Sequence, residues 1–237
     1  MNLSIATIGL EELAEGLVRD FLQGGEAKYV DIEKFITEYL GLTIKYEALA
    51  EEDQGIIGFM GDGKTAIRVY QRGVPVLKVY PVGTIVIEQY LLRVGESGRR
   101  RFTLAHEAGH FLLSRMNRPK KAENCQEQAL NHNFSSKEPM QKFDMTEANA
   151  DQLASCLLMP KVLVNQALEV WNDGKPLLVY GETVIPYDTR MKLRGMAYRL
   201  GVSQSALFLR FRKLGLIEQK EVMEYIRNDL QIGRCSE

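Results

Sequence analysis

In the stretch Arg101-Phe102-Thr103-Leu104-Ala105-His106-Glu107-Ala108-Gly109-His110, two histidines stand four residues apart with a glutamate directly after the first. On an α-helix, positions i and i+4 share a face, so His106 and His110 can turn two imidazole nitrogens onto one Zn²⁺ while Glu107 stands beside it. Neutral imidazole is a good zinc ligand, and a carboxylate next to the ion can take a proton from a water that the ion acidifies. The spacing therefore points to hydrolysis: Glu107 acts as base when the water attacks a peptide carbonyl, then passes the proton to the leaving amine.

Two imidazoles do not complete such a site, because a catalytic zinc usually has three protein ligands and leaves its fourth position to water. The candidates for the third are His132 and an acid in Asp144-Met145-Thr146-Glu147-Ala148-Asn149-Ala150-Asp151. Glu147 and Asp151 are again four apart on a predicted helix, with Ala148, Ala150 and Ala154 leaving room for close helix packing. Glu147 is the favoured ligand, and Asp151 is then placed to accept the outer N–H of a ligating histidine, fixing its tautomer. On spacing alone the rival readings stay open, since Asp144-x-x-Glu147 also reads as a capping box at a helix start. Mn²⁺ and Fe²⁺ also suit a site of two histidines and one carboxylate. For the donor that should face a tetrahedral oxyanion, Tyr180, Tyr187, Arg190 and His132 are candidates, and the residues do not choose among them.

These side chains need two helices to hold them. The first begins near Ser97 and Gly98 and carries apolar Phe102, Leu104, Ala105, Ala108, Leu112 and Leu113. The second runs from about Thr146 to Met159 and stops at Pro160. Between them, residues 117 to 142 are polar without a clear period and read as a loop. Ahead of the first helix, Leu10, Leu13, Leu17 and Phe21 mark an amphipathic helix, and a second runs from Asp31 to Leu40, ending at Gly41. Five β-rich runs follow, at 42–46, 55–59, 66–70, 74–79 and 83–87, punctuated by Gly, Pro and Asp. Beyond Pro160 come a β-favouring patch, 177–185, and helices from about Thr189. The fold class expected is α+β: a small mixed or antiparallel sheet packed with helices, one of them a zincin-like HExxH helix, plus a C-terminal helical segment. The boundary is placed between residues 1–186, a zinc peptidase domain, and residues 187–237.

The motif around His106, followed some forty residues on by Glu147-x-x-Ala150-Asp151-x-Leu153-Ala154-x-x-Leu157-Leu158-Met159-Pro160, resembles the ImmA/IrrE family of bacterial and phage metallopeptidases. Val30-Asp31-Ile32, Leu40-Gly41-Leu42 and the glycine-containing strand at Gly55 extend the likeness, which covers roughly residues 8 to 165. The resemblance implies that His106, His110 and Glu147 bind zinc and that Glu107 is the catalytic base. It also implies a protein substrate, typically a helix-turn-helix repressor.

The rest of the chain limits the alternatives. Thirty basic residues against thirty-one acidic ones leave a net charge of −1, so no global field recruits nucleic acid or a membrane. The start lacks a basic leader ahead of an apolar core, and no apolar run approaches the roughly 20 residues of a membrane span. The three cysteines, Cys125, Cys156 and Cys235, are dispersed and read as free thiols in a reducing compartment, the cytoplasm. The competing function is a zinc-containing DNA-binding regulator without peptidase activity. Residues 191–200, Gly201 and the Ser203-capped segment ending in Arg210, Phe211, Arg212 and Lys213 read as helix, tight turn, helix. Against that, Ala197, Leu200, Ala206, Leu207 and Phe211 fit an ordinary helical hairpin equally well. The run Arg99-Arg100-Arg101 reads as solvated charge, or as a surface for DNA or an acidic substrate.

Overall fold

The computed structural model describes residues 3–25, 27–49, 57–116, 140–228 and 230. The chain divides into two compact units, Met1–Pro160 and Lys161–Glu237. In the first, helix α1 (Leu3–Leu22) turns Leu10, Ala14 and Val18 inward. Helix α2 (Ile32–Lys34) is a single turn whose cap, Asp31, accepts from the Lys34 N–H, and it continues as a π-helical turn, Phe35–Tyr39. The sequence predicts an ordinary helix here. Phe35 instead stacks on Tyr39 and meets Phe21 edge-on, so aromatic packing accompanies the widened turn.

Five strands follow where the β-rich runs lie: β1 (Thr43–Glu47), β2 (Gly58–Met60), β3 (Ala66–Gln71), β4 (Val74–Val79) and β5 (Thr84–Glu88). They do not form one sheet. β1, β5 and β2 make a mixed three-stranded sheet with β5 in the middle, parallel to β1 and antiparallel to β2. All five residues of β5 are buried, consistent with a central strand covered on both faces. β3 and β4 pair only with each other, as a hairpin whose turn puts Arg72 and Gly73 at positive φ. Val69, Tyr80, Val86 and Leu49 form a buried cluster with Phe59 and Ile67 against it, which anchors the base of that hairpin.

Helix α3 (Ser97–Met116) packs on β2 and β5, and helix α4 (Met140–Leu158) packs on α3 and α1. The run of three arginines fastens α3 in place. Arg101 is buried, donates to the Val30 carbonyl at 2.9 Å and lies over the Tyr29 ring. Arg100 pairs with Glu33 at 3.2 Å, and Arg99 stands over Tyr90. For Arg101 the solvated reading gives way to a structural one, while Arg99 stays exposed and Arg100 is half-buried.

The second unit holds α5 (Lys161–Asn172), β6 (Leu177–Tyr180), α6 (Tyr187–Leu200), α7 (Gln204–Lys213), β7 (Ile217–Lys220) and α8 (Val222–Asn228). β6 and β7 run parallel, and α5 packs on α6. These pairings tie residues 161–180 to the C-terminal helices within the compact unit that begins at Lys161. Gly201, left-handed at φ 67°, ends α6, and the Ser203 hydroxyl caps α7 by accepting from the Ala206 N–H. Among the described residues, no single helix is long and apolar enough to cross a membrane.

Candidate metal centre

Helix α3 carries the whole His106 to His110 stretch, and its i and i+4 geometry puts both rings on the face turned to α4. Small residues let the second helix come close. A Cβ at Gly109 would lie 3.1 Å from the Ala150 carbonyl oxygen, so the backbones cross where neither has bulk. That crossing brings Glu147 to both histidines: its two oxygens lie 3.2 Å from His106 Nε2 and 3.3 Å from His110 Nε2. The two Nε2 atoms are themselves 3.0 Å apart.

Asp151, one turn beyond Glu147, sits 2.8 Å from His106 Nδ1. A carboxylate accepts, so Nδ1 carries the proton and Nε2 presents a bare lone pair. That lone pair faces a second acceptor, the Glu147 carboxylate, at 3.2 Å. Two acceptors at such a distance repel unless a cation or a proton lies between them. The donor set of two imidazole nitrogens and one carboxylate is the one zinc takes in hydrolytic sites. Ligands about 2.0–2.1 Å from a tetrahedral ion stand roughly 3.3–3.4 Å from each other, close to the spacings found here. His106, His110 and Glu147 thus fit a zinc ion.

Glu107, the next residue along α3 from His106, is buried with its carboxylate near Gly58 of β2 and within electrostatic reach of Glu147. A Cβ at Gly58 would lie 2.8 Å from Thr103 Cγ2 and 3.2 Å from Glu107 Oε1, so the glycine leaves the carboxylate its space. Burial, and secondarily the charge of Glu147, raise the Glu107 pKa from 4.5 to about 8. A carboxyl group raised in that way holds its proton near neutral pH while no cation stands beside it.

The site residues read from the sequence, His106, Glu107, His110, Glu147 and Asp151, are brought together in the first unit. The capping-box reading of Glu147 fails, because α4 begins at Met140 and Asp144 lies inside the helix. His132 falls outside the described residues. Tyr180, Tyr187 and Arg190 belong to the second unit. At the basic end of α7, Arg212 and Lys213 are exposed and Arg210 is not. Arg210 is 1% exposed, and Arg212 donates to the Glu182 carbonyl while lying over Phe208. Two residues escaped the sequence reading. Gly109 sits inside the motif, but that it faces Ala150 only the structure shows, whereas Gly58, a glycine within a strand, is the kind of signal that marks a close approach of another chain segment.

Comparison with curated proteins finds no match. The family model of the IrrE N-terminal-like domain, Peptidase_M78, matches residues 37–176, a span that holds the three-stranded sheet, the hairpin and both helices of the metal centre. With more than half of its length matched and a donor set that suits a metallopeptidase, the chain belongs to the IrrE N-terminal-like family.

Proposed function

We propose that the protein is a zinc-dependent endopeptidase that cuts a protein substrate, of the helix-turn-helix repressor class, in the cytoplasm. The observation that carries the reading is the convergence of His106, His110 and Glu147 beside the buried Glu107. Membership of a metallopeptidase family supports the reaction class, and the likeness to ImmA/IrrE peptidases supports the substrate class. His106, His110 and Glu147 would hold the ion, and Zn²⁺ there supplies Lewis acidity that acidifies a water and polarises a carbonyl. Asp151 keeps His106 in the tautomer that leaves Nε2 free to bind. Glu107 takes the proton of the attacking water and returns it to the departing amine. The glycine at 58 leaves room for the Glu107 carboxylate, since a Cβ there would stand 3.2 Å from its Oε1.

The test uses Glu107→Gln, which keeps shape and removes the base. The variant is expected to bind zinc as the wild type does and to cleave neither a mixed peptide library nor a helix-turn-helix repressor encoded beside it. Wild-type turnover in that variant would overturn the mechanism. Absence of zinc from the wild-type protein would overturn the metal assignment.

A further inference from the structure

The second unit presents an exposed face that the metal centre does not use. On α6, Tyr187, Met191, Arg194 and Tyr198 follow the spacing i, i+4, i+7, i+11 and so line one side of the helix, opposite the buried Leu193, Met196, Ala197 and Leu200. Tyr187 is 75% exposed and Tyr198 89%. Gly195 breaks the stripe at its centre, and the Trp171 indole of α5 lies against it. A Cβ at residue 195 would stand 2.3 Å from the Trp171 ring. Trp171 remains 41% exposed and walls a groove of about 390 Å³ with Met191 and Tyr198.

Charge surrounds this groove unevenly. Arg190 and Arg194 are both exposed, and among the described residues neither meets a carboxylate at ion-pair distance; Arg190 donates only to the Ile185 carbonyl, at 3.4 Å. Lys192 is turned to Asn172, 3.0 Å away. Of the charged residues lining the groove, Asp188 is negative while Lys192 and Arg194 are positive, which leaves a cationic excess, and exposed Arg190 stands one turn before Arg194 on α6. Exposed Trp, Tyr, Met and Arg are the side chains enriched at protein interfaces and among their energetic centres. A second copy of this chain paired about an axis near the groove is a poor occupant, because Arg190 and Arg194 of one protomer would then meet those of the other. A nucleic acid strand needs a basic track along its phosphates, and here Asp188 interrupts a short one.

We propose that this face docks an acidic segment of a partner protein, one apolar side chain of which enters the groove beside Trp171 while carboxylates meet Arg190 and Arg194. The proposal is independent of the peptidase reading, since it uses no residue of the metal centre.

Trp171 is the only tryptophan of the chain, so its emission reports occupancy of the groove directly. The full-length protein is titrated with three probes: a helical peptide combining glutamates with Leu and Phe at i and i+4, the same peptide with lysines for the glutamates, and a single-stranded oligothymidylate. The acidic peptide is expected to shift Trp171 emission to the blue, with affinity falling as salt rises. Replacing both arginines, Arg190→Glu with Arg194→Glu, should weaken it by about tenfold or more and transfer preference to the lysine peptide. Tyr198→Ala, which leaves the charges alone, should also cost about tenfold. No response to the acidic peptide, equal binding of the lysine peptide, or a response to the oligothymidylate alone would each overturn the proposal.

Discussion

At the scale of single residues, two carboxylates next to the histidines have different work because their surroundings differ. Asp151 is exposed and does one thing, accepting the His106 Nδ1–H at 2.8 Å. Partners of this kind orient metal ligands, and their loss costs about 10–100-fold in affinity. Asp151→Ala should lower zinc affinity by that factor without removing a ligand, as read by competition with a chromophoric chelator; unchanged affinity would show that the contact does not orient His106. Glu107 is buried, and its pKa lies at about 8 instead of 4.5. In metal-free protein it is neutral when folded and ionised when unfolded between those values, so its contribution to stability is complete below about pH 4.5 and lost as pH rises to about 8. The metal-free Glu107→Gln variant should match the wild type in melting temperature near about pH 5 and exceed it near about pH 9. Parallel melting profiles across that window would refute a buried, proton-holding Glu107.

At the scale of elements, the centre exists because α3 and α4 cross at Gly109 and Ala150. A Cβ at residue 109 would meet the Ala150 oxygen at 3.1 Å, tighter than ordinary packing, and backbone cannot yield as a flexible side chain does. Gly109→Ala should therefore separate the helices slightly, costing about 1–3 kcal/mol by chemical denaturation. Since the same displacement draws Glu147 away from both rings, zinc affinity should fall with it. A variant with weakened folding but wild-type zinc affinity would separate the crossing from the site. The arginines at the start of α3 act at this scale too: Arg101, buried and bonded to the Val30 carbonyl, fixes where the helix begins and so how far along it the histidines stand.

At the scale of the whole molecule, all three side chains that could hold the metal come from the first unit, two from one helix and one from the next. An ion held by them binds only the folded chain, and at a thousandfold excess over its dissociation constant that linkage is worth about 4 kcal/mol. Chelation should lower the melting temperature of this unit by on the order of 10 °C. Glu147→Ala should show almost none of that difference, and a full chelation shift in the variant would remove Glu147 from the ligand set.

The local pattern alone was enough to identify the motif helix, the fourfold spacing of Glu147 and Asp151, the five β-rich runs and the helix, turn and helix around Gly201, because helical and strand periods and caps are written in neighbouring residues. Three things were not legible there. The capping reading of Glu147 turned on where α4 starts, and that start, at Met140, lies in a stretch without a period. The division of five strands into a mixed sheet and a separate hairpin depends on pairings between distant segments, such as β1 with β5, that no local pattern encodes. The burial of Arg101, read from the sequence as surface charge, and of Arg210 is a property of what packs around them. The sequence by itself determined which donors this protein owns and how far apart they lie along each helix. Only the tertiary structure decided that the two helices cross at a glycine and an alanine, because bringing an acid within about 3.3 Å of two rings is a matter of backbone approach in space.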